Sequence, residues 1–591
     1  MLEFTNVAYS SLDNLLIVRS VRWLCIIVPS RRPVGTVGIP DGIPTGGAAD
    51  AGKPELVASA PVLSPLTNSA RSPRTVQELK GDTMTDSNET GIPTAGNIPA
   101  SRISVPGGDR RSGNHPLGNP SSDRVWLRDP LAVHLGAGAD PNLAARGIVI
   151  DRTTGTIVEL VPAGGEPSSA GVDGTSGGSG DALEIVDASA HVITPGLINT
   201  HHHFYQTLTR AWAPVADLPL FGWLQNLYPV WARLTPRALE LATTVAMAEL
   251  LESGCTTAAD HHYLFPTGMD EAIDIQVDVV RKLGMRAMLT RGSMSLGEED
   301  GGLPPQQTVQ DSQVILDDSR RLVETYHQRG PGAQIQIGFA PCSPFSVTTE
   351  LMRDSAALAA ELDVRLHTHL AETIDEEDFC RETFGLRTVD YLESVGWLGE
   401  RTWLAHGVHF DDSEIGRLGA AGVSVAHCPT SNMRLASGIA RAVELEDAGV
   451  NVGLGVDGSA SNDASNLIRE VRQALYIQRL RYGAEAVTCD RVLDWATKGS
   501  AAALGRDDIG TIEIGKQADL AMFRLDGLAF SGSHDPIPAL VLCGAEKADR
   551  VMVGGQWRVV DGHAIGADGH ALDKESLIAA HQEEARRLVA R

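Results

Sequence analysis

Between about Leu197 and Leu504, short apolar runs that end in polar residues alternate with segments whose apolar positions recur at helical spacing. The runs are LINTHHH, CTTAADHH, MRAMLTRG, IQIGFAPCSP, VRLHTHLAE, TWLAHGVHF, VSVAHCPTS and NVGLGVDGS, eight strand candidates in all. Amphipathic stretches such as PRALELATTVAMAELLESG lie between them. This alternation predicts an α/β architecture, a (β/α)8 barrel of the TIM type. The polar residues fall at the C-terminal ends of the runs, where barrels of this kind build their active sites.

The flanks read differently. RVWLRDPLAVHL and ARGIVIDRTTGTIVELVPAGG are short β-rich runs joined by a turn, and they predict a small antiparallel module. The Gly/Ser-rich stretch from Gly171 to Gly180 reads as a loop insertion. After the barrel, DDIGTIEIGKQADLAMFRLDG and AEKADRVMVGGQWRVVDGHA return to short strands, so both flanks are expected to pair into one discontinuous β-sandwich. The expected division is 124–196 and 505–568 for the two parts of the sandwich, 197–504 for the barrel and 569–591 for a C-terminal helix.

Residues 1–123 lack apolar periodicity over most of their length and are rich in Gly, Pro, Ser, Thr and Asp. Such a segment cannot bury enough surface to offset its ordering entropy, so disorder is expected. Met84 lies inside it, and translation from there would discard the apolar start. That start, LLIVRSVRWLCIIV, is interrupted by Arg19 and Arg22 and preceded by Glu3, which fits neither a signal peptide nor a membrane span.

Composition narrows the partners. A formal net charge of −26 argues against nucleic acid or an anionic membrane surface and leaves a small substrate. The seven cysteines are scattered and never form a CxxC pair, which suggests a reducing cytoplasm with neither a disulfide framework nor a thiolate metal site.

The candidate chemistry begins at His201-His202-His203. On a strand, alternate side chains share a face, so His201 and His203 can grip one metal ion while His202 points away. His369 ends a second run with Glu372 on the loop beyond it; His406 ends TWLAH and Asp457 ends NVGLGVD. A single histidine at a strand end is usually structural. Four such coincidences in one barrel, in order, are hard to attribute to chance. Three imidazoles and a carboxylate suit zinc, with ferrous iron as the alternative, and leave a position for water. The metal lowers that water's pKa toward roughly 7. Asp457 can then accept its proton, Glu372 can protonate a ring nitrogen and His406 can hold the developing charge.

HxH after PGLINT, the HLAE step, His406 in HGVH and Asp457 in GVDGS together resemble the amidohydrolase superfamily, from about Arg124 to the C-terminus. The resemblance implies His201, His203, His369 and Asp457 as ligands of one divalent metal and Glu372 with His406 as the catalytic pair. It also implies the flanking β-module and suggests a homo-oligomer. Some members bridge two metals with a modified lysine, but Phe204 to Thr368 contains only Lys282, on a helical segment. One metal is therefore expected, as in the deaminase branch.

HHHFYQTLTRA, LFGWLQNLYPVWARLT and FSGSHDPIPALVLCG are similar to the group of that superfamily that deaminates 8-oxoguanine. This implies hydrolysis of the exocyclic amine of a 2-amino-oxopurine, giving urate and ammonia. Gln206 can read a keto-amide edge, and Trp212, Trp223, Tyr228 and Trp231 can wall a flat ring or simply pack a helix. Cys342 is equally placed to face the substrate or to fill the core. His261 and His262 are candidates for the pocket or its support, Asn432 for a pocket amide, and His409 and His427 for structural roles. The alternatives are a triazine amino- or chlorohydrolase, another nucleobase or nucleoside deaminase, and a non-catalytic barrel scaffold, which should have lost ligands or Glu372. A serine or cysteine nucleophile fits less well, because no GxSxG stands as a strand-to-helix elbow and Cys342 lacks a partnered base.

Overall fold

The computed structural model describes residues 122–168 and 183–590, all within the compact unit Gly108–Arg591. The expectations for 1–121, for the apolar start and for the loop at 171–180 lie outside the described residues.

Eight parallel strands close into a barrel: β7 (Leu197–Asn199), β8 (Cys255–His262), β9 (Arg286–Ser293), β10 (Ile335–Pro341), β11 (Leu366–Leu370), β12 (Thr402–His406), β13 (Ser424–His427) and β14 (Asn451–Leu454). Each falls within one of the runs read as strands, except that β9 continues one residue further, to Ser293. Closure is made where Leu454 of β14 pairs with Asn199 of β7. All eight residues of β8 are buried, as expected where helices cover one face and barrel packing the other. The helix Pro236–Glu252 shows how the alternation is enforced locally. Thr235 caps its N-terminus by accepting from the Ala238 N–H, Pro236 opens the first turn, and Gly254 at φ 96° turns the chain into β8.

The flanks form two sheets. One has the order β4 (Thr156–Val161), β3 (Gly147–Asp151), β1 (Arg124–Arg128), β5 (Leu183–Asp187). The other joins β2 (Ala132–Val133) and β6 (His191–Pro195) to β15 (Leu520–Arg524), β16 (Arg550–Val553), β17 (Gln556–Val560) and β18 (His563–Ala564). Val125, Ile148 and Ile157 from the first sheet share a core with Ile193, Leu520, Met552 and Trp557 from the second. The first sheet is mixed rather than antiparallel: β5 returns alongside β1 in parallel register. The helix Lys574–Val589 packs on Pro236–Glu252, and His581 lies 3.0 Å from the Thr207 hydroxyl. Among the described residues no helix is long and apolar enough to cross a membrane, and the six cysteines are free thiols.

Candidate active site

The C-terminal ends of the barrel strands bring the polar groups to one place. His201 and His203 follow β7, His369 lies on β11, Glu372 is just beyond it, His406 ends β12 and Asp457 follows β14. Two bonds carry the parallel pairing past the strand ends, Thr200 N to Leu454 O (2.9 Å) and Asp457 N to His201 O (3.0 Å). His202 turns away, 2.9 Å from the Ser465 hydroxyl. Ala371, His406 and Asp457 take positive φ of 54°, 71° and 64°. Non-glycine residues adopt that region at a cost and do so most often at functional sites. Here the turns aim Glu372, His406 and Asp457 inward.

Hydrogen bonding fixes where the imidazole protons sit. Nδ1 of His203 lies 2.7 Å from the His261 carbonyl and Nδ1 of His369 lies 2.7 Å from the Cys342 carbonyl. A carbonyl only accepts, so both Nδ1 atoms carry the proton and both Nε2 atoms are bare. Those two Nε2 atoms stand 3.2 Å apart, and Asp457 Oδ1 lies 3.3 Å from His203 Nε2 and 3.2 Å from His201 Nε2. His201 Nε2 is buried without a hydrogen-bond partner. Burial holds His201 and His369 well below the ordinary histidine pKa and also lowers His203, so all three are neutral. Bare nitrogens this close, with a carboxylate oxygen among them, lack protons to share and fit a divalent metal ion.

The carboxylates are prepared differently. Burial opposes ionisation of Asp457, but the attraction of His406, whose own pKa is raised, holds it below the usual carboxylate range. The Ser431 and Ser461 hydroxyls donate to its Oδ2 at 2.6 and 2.8 Å, and Gly458 N donates to Oδ1 at 2.6 Å. Glu372 is fully buried, and burial pushes it up to about 7 against the pull of His406. Its Oε2 lies 3.5 Å from His406 Nε2, and Ser437 donates to Oε1 at 3.4 Å. Burial also disfavours charge on His406, but Glu372 and Asp457 outweigh it and raise its pKa. The Asn432 amide oxygen fixes its ring through Nδ1 at 2.9 Å.

These groups floor a small cavity lined by Leu220, Trp223, Leu224, Tyr228, Tyr263, Phe345 and Leu435, together with Gln206 and Cys342. Gln206 Oε1 accepts from Ala460 N at 3.3 Å, which leaves its NH2 as the free donor. Gly458 makes room for this amide: a Cβ there would meet Gln206 Oε1 at 1.8 Å. Trp231 is the exception among the candidate substrate contacts. It stands behind the wall, donates to Thr209 Oγ1 at 3.1 Å and packs on Tyr205, Trp223 and Tyr228. Trp212 also lies outside the cavity lining.

His261 stacks on His369 and is close enough to join the cluster of His201, His203 and His369, although its Nε2 is engaged by the Ala340 carbonyl at 2.9 Å. His262 bonds to the Leu264 carbonyl, His409 to the Ser437 carbonyl and His427 to Gln478. Lys282 is on the outer helix Ala272–Leu283, paired with Glu240 at 3.1 Å. Tyr263, Ser437 and Ser461 had no sequence signal of their own, and Ser431 entered only as the last residue of the run VSVAHCPTS.

Residues 192–558 match the model of the amidohydrolase family, and the chain belongs to that family. It is 66% identical over 467 residues to the 8-oxoguanine deaminase of Pseudomonas aeruginosa, covering 79% of this chain and 99% of that protein. It is 37% identical to the hydroxydechloroatrazine ethylaminohydrolase of Pseudomonas sp. strain ADP, over 62% of this chain and 77% of that one. Among solved structures, the atrazine chlorohydrolase of Arthrobacter aurescens TC1 in complex with zinc superposes with a TM-score of 0.70 at 30% identity, covering 79% of this chain and 100% of that one.

Proposed function

We propose that this protein is an 8-oxoguanine deaminase, hydrolysing the exocyclic amine of the purine to yield urate and ammonia. The observation that carries the reading is the 66% identity to an enzyme of that name over 99% of its length, joined to a site equipped for the reaction. His201, His203, His369 and Asp457 would hold one divalent ion, with zinc favoured by the imidazole-rich donor set and by the zinc-bound structural relative. The bound ion would lower the pKa of a water toward neutrality and offset developing negative charge.

The chain's own residues manage the protons. Glu372, whose pKa burial raises to about 7 so that a protonated fraction is present at neutral pH, donates to the ring nitrogen beside the carbon that bears the amine. Asp457, ionised and oriented by Ser431 and Ser461, takes a proton as water oxygen adds to that carbon. His406 faces the adding oxygen and stabilises its charge. The proton collected by Asp457 passes to the amine, the remaining hydroxyl proton returns to Glu372, and the C–N bond breaks as the carbonyl of urate forms and ammonia leaves. Trp223, Tyr228 and Tyr263 clasp the flat ring, and the Gln206 NH2 group donates to a ring carbonyl.

Ammonia release by the metal-analysed protein is the test, against 8-oxoguanine, guanine, isocytosine, cytosine, adenosine and melamine. Fast turnover of 8-oxoguanine supports the substrate reading. Turnover of melamine alone would favour the triazine reading suggested by the structural relative; no turnover with one metal per chain would leave the scaffold.

A further inference from the structure

We propose that His367 is a positioning residue that dictates which nitrogen of His201 carries the proton, and so whether His201 can serve a metal. The proposal rests on the reading of His201 as a ligand. His203 and His369 have their Nδ1 atoms tied to backbone carbonyls, which any side chain at those positions would supply. For His201 the Nδ1 partner is instead a side chain, His367 Nε2 at 2.8 Å. His201 is thus the member of this trio whose tautomer depends on the identity of another residue.

The relay can be followed atom by atom. Nδ1 of His367 lies 2.8 Å from the Trp403 carbonyl oxygen, which can only accept, so that nitrogen carries a proton. His367 is buried, and among the described residues no carboxylate lies within ion-pair distance of it, so the ring is neutral and its Nε2 is a lone pair. His201 Nδ1 must then be the donor, and His201 Nε2 faces Asp457 Oδ1 bare at 3.2 Å. The opposite tautomer would place N–H between His201 and Asp457 and remove both from metal binding. It would also set two lone pairs against each other at His367, a buried arrangement that costs a full hydrogen bond.

The parts of the relay are held rigidly. The His367 ring stacks on Trp403 with centroids 4.3 Å apart and planes 11° from parallel. Trp403 Nε1 in turn donates to the Thr200 carbonyl at 3.1 Å, immediately before His201. Ring, relay and ligand therefore share one frame. Partners of this kind around metal-binding histidines typically change affinity about 10–100-fold when removed.

The test is zinc binding by the metal-free protein in competition with a chromophoric chelator, a readout independent of turnover. H367F keeps an aromatic ring on Trp403 but offers no acceptor. H367Q offers a carbonyl to His201 and an N–H to the Trp403 carbonyl. H367F is expected to bind zinc about 10–100-fold more weakly than wild type, and H367Q to recover most of that loss. If H367F does not fold, H367M makes the same deletion with a more adaptable side chain. Equal zinc affinity in H367F and wild type would overturn the proposal, as would an H367Q protein as weak as H367F. A wild-type protein that takes up no zinc would instead overturn the metal reading itself.

Discussion

The two ends of the barrel handle buried polar groups in opposite ways. At the C-terminal end, nitrogens and a carboxylate converge with too few protons to satisfy one another: His203 and His369 set bare Nε2 atoms 3.2 Å apart, and His201 Nε2 has no partner. At the N-terminal end, two buried arginines find carboxylate partners, although Arg365 Nε just before β11 has none. Arg286, at the start of β9, grips Asp519 through Nε at 2.8 Å and NH2 at 3.0 Å, and also reaches Gln517 Oε1 and the Gly332 carbonyl. Arg506 pairs with Asp508 through two bonds of 2.8 Å, and Asp508 also accepts from Gly332 N. Unmet valence at one end belongs to chemistry, whereas the ion pairs of Arg286 and Arg506 at the other tie the barrel to its β-module. The division agrees with the general rule that barrel function collects at the C-terminal face and stability at the other.

The strongest challenge to this contrast is metal removal. Chelation is expected to abolish ammonia release and added zinc to restore it, and a metal-free preparation with full turnover would defeat the mechanism. Next in size is Glu372→Gln, which removes the proton donor and should lower kcat by about 10²–10⁴-fold. Its thermal midpoint should be held or raised, because a carboxyl buried at a cost has been replaced. A large loss of stability would place Glu372 on the wrong side of the comparison.

The converse substitution is Asp519→Ala. Stranding Arg286 without its partner should cost about 3–5 kcal/mol in urea unfolding. The KM of the folded enzyme should not move; a changed KM would show the two ends to be coupled. The smallest expected effect sharpens the rim itself. Asp260 on β8 is pushed up to about 7 by burial, while accepting from Phe204 N and Gln276 Nε2. An unfolded aspartate titrates near 4, so the folded state binds the extra proton between about 4 and 7. The contribution is complete below pH 4 and is lost as pH rises through 7. Asp260→Asn should flatten that decline, narrowing the difference in thermal midpoint between pH 5 and pH 8 by roughly one or two degrees. An unchanged slope would assign the pH dependence to other groups.

The barrel and the chemical core of the site were legible because both follow short-range rules. Strand runs of period two ending in polar residues put His201 and His203 on one side, and a single HLAE step spaced His369 from Glu372. The walls were less legible. Trp223 and Trp231 share the helix Leu220–Trp231, yet Trp223 meets the cavity and Trp231 stands behind it with its centroid 5.3 Å away. Helical spacing says which residues are apolar, not which of two buried faces looks onto a hollow.

What the sequence by itself determined, then, is the succession of strands and helices and the order in which donors arrive at the strand ends, since backbone geometry and burial act over a few residues. Only the tertiary structure decided the pairings made by closure of the ring and docking of the flanks. Asp519 lies 233 residues from Arg286, and His367 lies 166 residues from His201. No local pattern encodes such partners. Their identity, and with it the state of each proton at the site, emerges when the barrel brings distant segments within 3 Å and excludes the water that would otherwise have satisfied them.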